Sequence, residues 1–188
     1  MTSQPDLTPA ASGVAVIDKP TGWTSHQVVA KVRRIAGTRK VGHAGTLDPM
    51  ATGVLLIGIG RATRLLGHLA LTDKAYQATI RLGLATVTDD AEGEVTERAG
   101  ATGVTADQIA TAVARLRASR MQVPSSVSAI KINGVRSYAK VRSGQDVVLA
   151  ARPVTVDRLE VVTRRDVQLE AIPVIDLDVV VECSSGCY

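Results

Sequence analysis

The chain has no phenylalanine, and Trp23, Tyr76, Tyr138 and Tyr188 are its whole aromatic complement in 188 residues. So small a set excludes a sheet of stacking platforms of the RNA-recognition-motif kind, where several rings must meet successive bases. Cysteine is equally scarce. Cys183 and Cys187 are the only two, too few for a disulfide framework or a four-ligand zinc site. His26, His43 and His68 are scattered along the chain, so no metal site is expected. No run approaches the roughly 18 apolar residues of a membrane span. The polar first twelve residues lack the basic and apolar regions of a secretory signal. The expected location is the cytoplasm, without membrane association.

What is present suits a folded domain. Hydrophobic residues make up 45% and charged residues 21%, which excludes wholesale disorder. A chain of this length buries about 70% of its unfolded surface and needs no metal or disulfide staple. Charge is unevenly placed: residues 1–72 hold eight Lys/Arg against three Asp/Glu, net +5, and residues 73–188 hold fourteen against fifteen, net −1. Five of the eight (Lys31, Arg33, Arg34, Arg39 and Lys40) fall in ten residues without an acid. Such a patch is either a solvated helix face or a surface that attracts phosphate, and composition leaves both open.

After a disordered tail over residues 1–12, residues 13–17 (GVAVI) read as a strand ending in the turn Asp18-Lys19-Pro20-Thr21-Gly22. Thr24 and Gln27 have capping-box spacing, Val28, Val32 and Ile35 recur at helical spacing, and Gly37 closes the helix. Residues 41–53 (VGHAGTLDPMATG) show neither period and include four Gly or Pro, so a long functional loop is expected. Residues 54–59 read as a buried strand and 62–71 as a short helix. Residues 74–84 alternate as a strand with Tyr76, Ala78 and Ile80 on one face. An acidic surface excursion over 86–104 precedes a helix over 105–120, capped by Thr105 and Gln108 and striped by Ile109, Val113 and Leu116. A strand-like VSAIKI, a turn at Asn133-Gly134, an element around Tyr138 and two β-rich runs over 154–162 and 174–181 complete the chain.

The Gly-rich loop contains no phosphate-binding G-x-x-x-x-G-K-[ST], no dinucleotide fingerprint and no G-x-S-x-G elbow. Its chemistry-bearing residues are His43 and Asp48. An Asp before Pro is either a turn former bonding its own backbone or a reactive carboxylate, and His43 is either a satisfied loop histidine or a functional one.

Taken together, DKPTGWTSHQVV, KVGHAGTLDPMATGVLLIGIGRATRLL, DKAYQATIRLG, SAIKINGVRSY and CSSGCY occur in one order across residues 13–188. This combination resembles the TruB family, the bacterial tRNA pseudouridine-55 synthases. The resemblance implies a mixed α/β (α+β) catalytic domain over 13–188, with a largely antiparallel central sheet flanked by helices. It implies an enzyme that isomerises uridine to pseudouridine in the T-loop of tRNA without cofactor or metal, acting as a monomer with no obligate protein partner. By resemblance, Asp48 is the nucleophile, at ribose C1′ or uracil C6. His43 fills the space left by the flipped base, Tyr76 stacks on the uracil, and Tyr188 lines the same pocket. Lys19 supports the catalytic loop, while Lys31, Arg33, Arg34, Arg39 and Lys40 meet the T-arm backbone, contacts that position without specifying.

The chain departs from the family pattern in VPSSVSAIK, where a double proline and an aromatic are usual, and it ends before the Ile-Arg that follows CSSGCY. That Arg is the expected partner of the Asp. The expectation is therefore a catalytic domain incomplete at its C-terminus, lacking the RNA-binding extension and weak or inactive alone. Two rivals use the same residues differently: a non-catalytic RNA-binding or tRNA-folding module, and a small-molecule phosphate-binding α/β protein.

Overall fold

The computed structural model describes residues 12–70, 73–124, 131–132, 135–136 and 149–187. The expected tail up to residue 11, the Asn133-Gly134 turn, the first part of VSAIKI, Tyr138 and Tyr188 lie outside the described residues. The architecture is mixed α and β, and every described strand ladder is antiparallel. The chain divides into two compact units, residues 1–72 and 73–188.

The first unit runs β1 (Gly13–Lys19), α1 (Ser25–Ile35), β2 (Val41–Ala44), β3 (Gly53–Ile59), a 3-10 turn (Gly60–Leu65) and α2 (Leu66–Ala70). Its sheet has the order β1-β3-β2. The period of two brings Ala15, Ile17, Leu55 and Ile57 onto one face, where they pack with Val28 and Val29 of α1. Lys19 continues that inward face and is fully buried. Thr24 caps α1 through a complete capping box with Gln27, as its spacing predicts. Gly37, at φ 61°, and the Thr38 N–H donated to Arg33 O close it in the Schellman manner.

Three expectations are corrected here. Val41–Ala44 is a strand, not loop, so the irregular segment shrinks to residues 45–52. Gly42 hid it: Gly42 and its partner Gly58 leave a notch for Leu66, whose side-chain carbons lie 3.0 Å from where a Cβ at either position would sit. The buried stripe of α1 is Ser25, Val28 and Val29, with Val32 packed beside it; Ile35 is exposed because it lies one turn beyond the core. The expected helix over 62–71 begins instead as a 3-10 turn at Gly60 and becomes α-helical only at Leu66.

The second unit contains β4 (Lys74–Leu82), β5 (Ala85–Thr86), β6 (Val95–Glu97), α3 (Ala106–Ala118), β7 (Met121–Gln122), β8 (Lys131–Ile132), β9 (Val135–Arg136), β10 (Arg152–Pro153), β11 (Val156–Leu169) and β12 (Ile172–Cys183). Its main sheet has the order β11-β12-β4, and β5-β6, β8-β9 and β7-β10 form small ribbons. The acidic excursion thus carries the β5-β6 ribbon. The capping box of Thr105 with Gln108 starts α3, which lays Ile109 and Val113 on Leu159, Ile175, Leu177 and Val179. Leu116, expected in that stripe, is exposed. Tyr76, Ala78 and Ile80 pair with Val181, Val179 and Leu177, so the three share the apolar face as their alternation predicts. The opposite face is ionic: Arg81 grips Asp176 with two hydrogen bonds of 2.7 Å, and Arg165 and Thr79 hold Asp178.

Candidate functional site

The segment around Asp48 has its backbone bonded on every side while its carboxylate is left in solvent. Lys19 Nζ donates to the carbonyls of Pro20 (3.0 Å), Trp23 (2.7 Å) and Pro49 (3.2 Å). An ammonium has three donors and no acceptor, so these carbonyls use its full capacity inside the core. Pro49 O also accepts the Gly22 N–H at 2.8 Å, and Thr21 Oγ1 donates to Met50 O at 3.2 Å. On the other side of Asp48, the buried Ser25 hydroxyl accepts from Leu47 N at 3.0 Å and donates to Leu47 O at 3.2 Å. Asp48 O accepts the Ala51 N–H at 3.1 Å. The left-handed turns at each end of the loop fall on Gly45 (φ 82°) and Gly53 (φ 112°), where a Cβ would be strained.

Asp48 itself is exposed. Among the described residues neither a backbone N–H nor a side chain bonds its carboxylate, so the turn-former reading fails at its central requirement, a carboxylate tied to nearby backbone. His43 sits on β2 opposite Ile57, half-buried, with Nδ1 donating to Gly45 O and its ring edge-on to His26 at 5.4 Å between centroids. Because a carbonyl oxygen can only accept, that bond places a proton on Nδ1. The first unit therefore brings Lys19, His43 and Asp48 into one stretch of sheet and loop.

The five basic residues are all exposed and divide in two. Lys31, Arg34, Arg39 and Lys40 make no side-chain hydrogen bond or ion pair with another described residue, whereas Arg33 donates to Val41 O at 2.9 Å and ties α1 to β2. Arg61 and Arg64 on the 3-10 turn are also exposed, and the Gly60 N–H bonded to Lys40 O at 2.7 Å anchors that turn beside Lys40. Reading the basic patch only as a run of ten residues missed these two.

Tyr76 lies in the second unit, half-buried on β4 opposite Val181. The turn after β12 is fastened there: Gln122 Nε2 donates to Cys187 O at 2.7 Å, Arg152 donates to Gly186 O, and Ser184 and Thr155 bond reciprocally. Burial pushes the Cys183 thiol up to about 11, with Cys187 beside it adding to the shift. Sequence reasoning missed Ser25, Thr21, Gln122 and Arg152. Of these, Ser25 alone left a signal, a second hydroxyl directly after a helix cap, where a strong helix former is the usual choice.

Among the described residues no group of three or more His, Cys, Asp or Glu is placed to hold a metal ion, and no helix is long and apolar enough to cross a membrane.

Residues 33–188 match the TruB family pseudouridylate synthase (N terminal domain). The chain is 62% identical over 179 residues to tRNA pseudouridine synthase B of Paenarthrobacter aurescens (strain TC1), covering 94% of this chain and 56% of that protein. It is 59% identical over 189 residues to tRNA pseudouridine synthase B of Streptomyces griseus, covering 100% of this chain and 62% of that protein. It thus spans somewhat under two thirds of the length of these curated relatives. Among solved structures, it is similar to a chain of a Cbf5-Nop10-Gar1 complex, with a TM-score of 0.60 and 28% identity over 94% of this chain and 40% of that chain. It is also similar to a chain of an H/ACA RNP bound to a substrate RNA containing 2′-deoxyuridine, with a TM-score of 0.57 and 26% identity over 94% of this chain and 39% of that chain. With the family match covering most of its length and the pseudouridine synthase B relatives near 60% identity, the chain belongs to the TruB family of pseudouridylate synthases.

Proposed function

We propose that this chain carries the nucleophile of a tRNA pseudouridine synthase, and that Asp48 attacks a uridine extruded from the T-loop of the T-arm. The observation that carries the reading is the Asp48 loop: a carboxylate without an internal partner, on a backbone bonded at Leu47, Asp48, Pro49 and Met50. A binding module for an anionic polymer gains nothing from a free carboxylate aimed outward. An isomerase that must break and remake a glycosidic bond needs a nucleophile held in place but free to react.

The isomerisation conserves atoms. The N1–C1′ bond breaks, a C5–C1′ bond forms, the C5 proton leaves and N1 gains one. The carboxylate adds at C1′ or C6 to make the base detachable, and is released when the carbon bond has formed. Extrusion of the base costs a few kcal/mol of stacking. The family resemblance assigns His43 to the vacated space and Tyr76 and Tyr188 to recognition of the uridine. Lys31, Arg34, Arg39 and Lys40 meet phosphates, and Arg33 does so with whatever donors its bond to Val41 O leaves.

Tritium release from C5-labelled tRNA, measured in the chain extended through the remaining length of its relatives, tests this reading. Asp48→Asn is expected to lower release by at least about 10⁴-fold with tRNA affinity within about twofold of wild type. Full release by Asp48→Asn, or no release by the extended wild-type chain, would sink it. The second result, with tRNA still bound, favours the non-catalytic RNA-binding module.

A further inference from the structure

We infer that Ser25 is a positioning residue for the Asp48 carboxylate, an inference that rests on the reading of Asp48 as nucleophile. The direction of the Asp48 Cα–Cβ bond is set by the two peptide planes that meet at its Cα. The Leu47 carbonyl belongs to the plane before it and is held by the Ser25 hydroxyl at 3.2 Å. The Asp48 carbonyl belongs to the plane after it and is held by the Ala51 N–H at 3.1 Å. Because the same hydroxyl also accepts the Leu47 N–H at 3.0 Å, both peptide groups of Leu47 are bonded to one oxygen. Only the side-chain torsions of Asp48 stay free.

The support behind that oxygen is rigid. Ser25 is the first residue of α1, is 1% exposed, and stands one turn before Val28 and Val29 in the core. Pro49 adds a fixed φ and biases Asp48 towards extended backbone. Lys19 and Thr21 hold only the downstream carbonyls of Pro49 and Met50. Ser25 is thus the side chain in control of the plane entering Asp48, and alanine there leaves both polar groups of Leu47 without this partner.

The test compares Ser25→Ala with Val28→Ala, which weakens the core cluster that Leu47 also packs on but keeps the Ser25 hydroxyl, in the extended chain. Amide exchange at Leu47, taken relative to Ile57 in β3, is expected to rise at least about tenfold in Ser25→Ala and to stay constant in Val28→Ala. Single-turnover tritium release is expected to fall roughly 10- to 100-fold in Ser25→Ala, with the tRNA Kd within about twofold. Val28→Ala, assayed at a temperature where it is folded, is expected to keep the wild-type rate. An unchanged Leu47 ratio, or a rate loss no greater than that of Val28→Ala, would overturn the inference while leaving the activity in place. No release by the wild-type chain would overturn the activity and this role together, and the exchange ratio would still report whether the clasp exists.

Discussion

In the unit of residues 1–72, the buried polar side chains Lys19 and Ser25 bond to the backbone of an irregular loop. In the unit of residues 73–188, the buried Asp176 bonds to a side chain on the neighbouring strand. The six ion pairs among the described residues also lie in that second unit. The difference follows from what each unit has to hold. Long antiparallel strands satisfy their own backbone, so their polar side chains are free to pair across the ladder and reinforce register. A loop with little regular structure has no ladder, and its buried carbonyls need donors from elsewhere. Lys19 and Ser25 supply them, and the loop so held is the one that carries Asp48.

Lys19→Met gives the largest expected effect. The methionine keeps the volume and removes three donors, so the carbonyls of Pro20 and Trp23 lose their Lys19 partner and Pro49 O keeps only the Gly22 N–H. The expected loss in the first unit is about 3–5 kcal/mol. Trp23 is the only tryptophan in the chain, so its fluorescence during urea unfolding follows this unit selectively. Alkylation of the buried Cys183 follows the second. A shifted Trp23 transition with unchanged Cys183 protection upholds the contrast. Equal losses by both probes would break it and mean that the units unfold as one.

Local signals account for what was legible in the sequence. The two capping boxes, Thr24 with Gln27 and Thr105 with Gln108, are contained in four residues each, and both helices begin as read. The alternation from Tyr76 to Ile80 likewise gave a strand with the correct common face. What escaped depended on partners distant in the chain. The β2 strand has a glycine at residue 42 because Leu66, 24 positions later, packs over it. Ser25 shows in the sequence only as a second hydroxyl after the helix cap, and its role emerges when Leu47, 22 positions on, is seen bonded to it. The family resemblance named Lys19 and Asp48, but the three carbonyls that give Lys19 its effect could only come from geometry.

Asp176→Asn sharpens the comparison from the other side. Hydrogen bonding to Arg81 holds the Asp176 carboxyl below the usual range, and Arg165 and Thr79 hold that of Asp178 down to about 2. A carboxyl depressed in the folded state contributes stability above its unfolded value of roughly 4. That contribution is lost as pH falls through the folded value, so the second unit is expected to weaken between about pH 4 and pH 2. Because the Arg81 side chain is 41% exposed, the expected loss at neutral pH in Asp176→Asn is only about 1–2 kcal/mol. Faster Cys183 alkylation in urea, with an unchanged Trp23 transition and a shallower acid slope, is the expected result. A loss as large as that of Lys19→Met would mean that the ionic face carries more of the fold than its exposure suggests.

The smallest effect concerns Cys183 and has the opposite sign in pH. With its thiol held at about 11 by burial, Cys183 keeps its proton in the folded state while the unfolded chain gives it up near its ordinary value of 9.0. Between about pH 9 and 11 the unfolded state therefore binds fewer protons, and stability falls as pH rises. The effect vanishes at neutral pH, where both states keep the proton, and is expected to reach only about 1.4 kcal/mol by pH 10. Cys183→Ala removes the titrating group, so its stability should depend less steeply on pH in that window, whatever its absolute stability. The first unit contains no cysteine, and its Trp23 transition should have the same alkaline slope in the variant as in wild type. A slope change seen by Trp23 as well would show that the two units share their stability, and the separate polar strategies assigned to them would have to be treated as one.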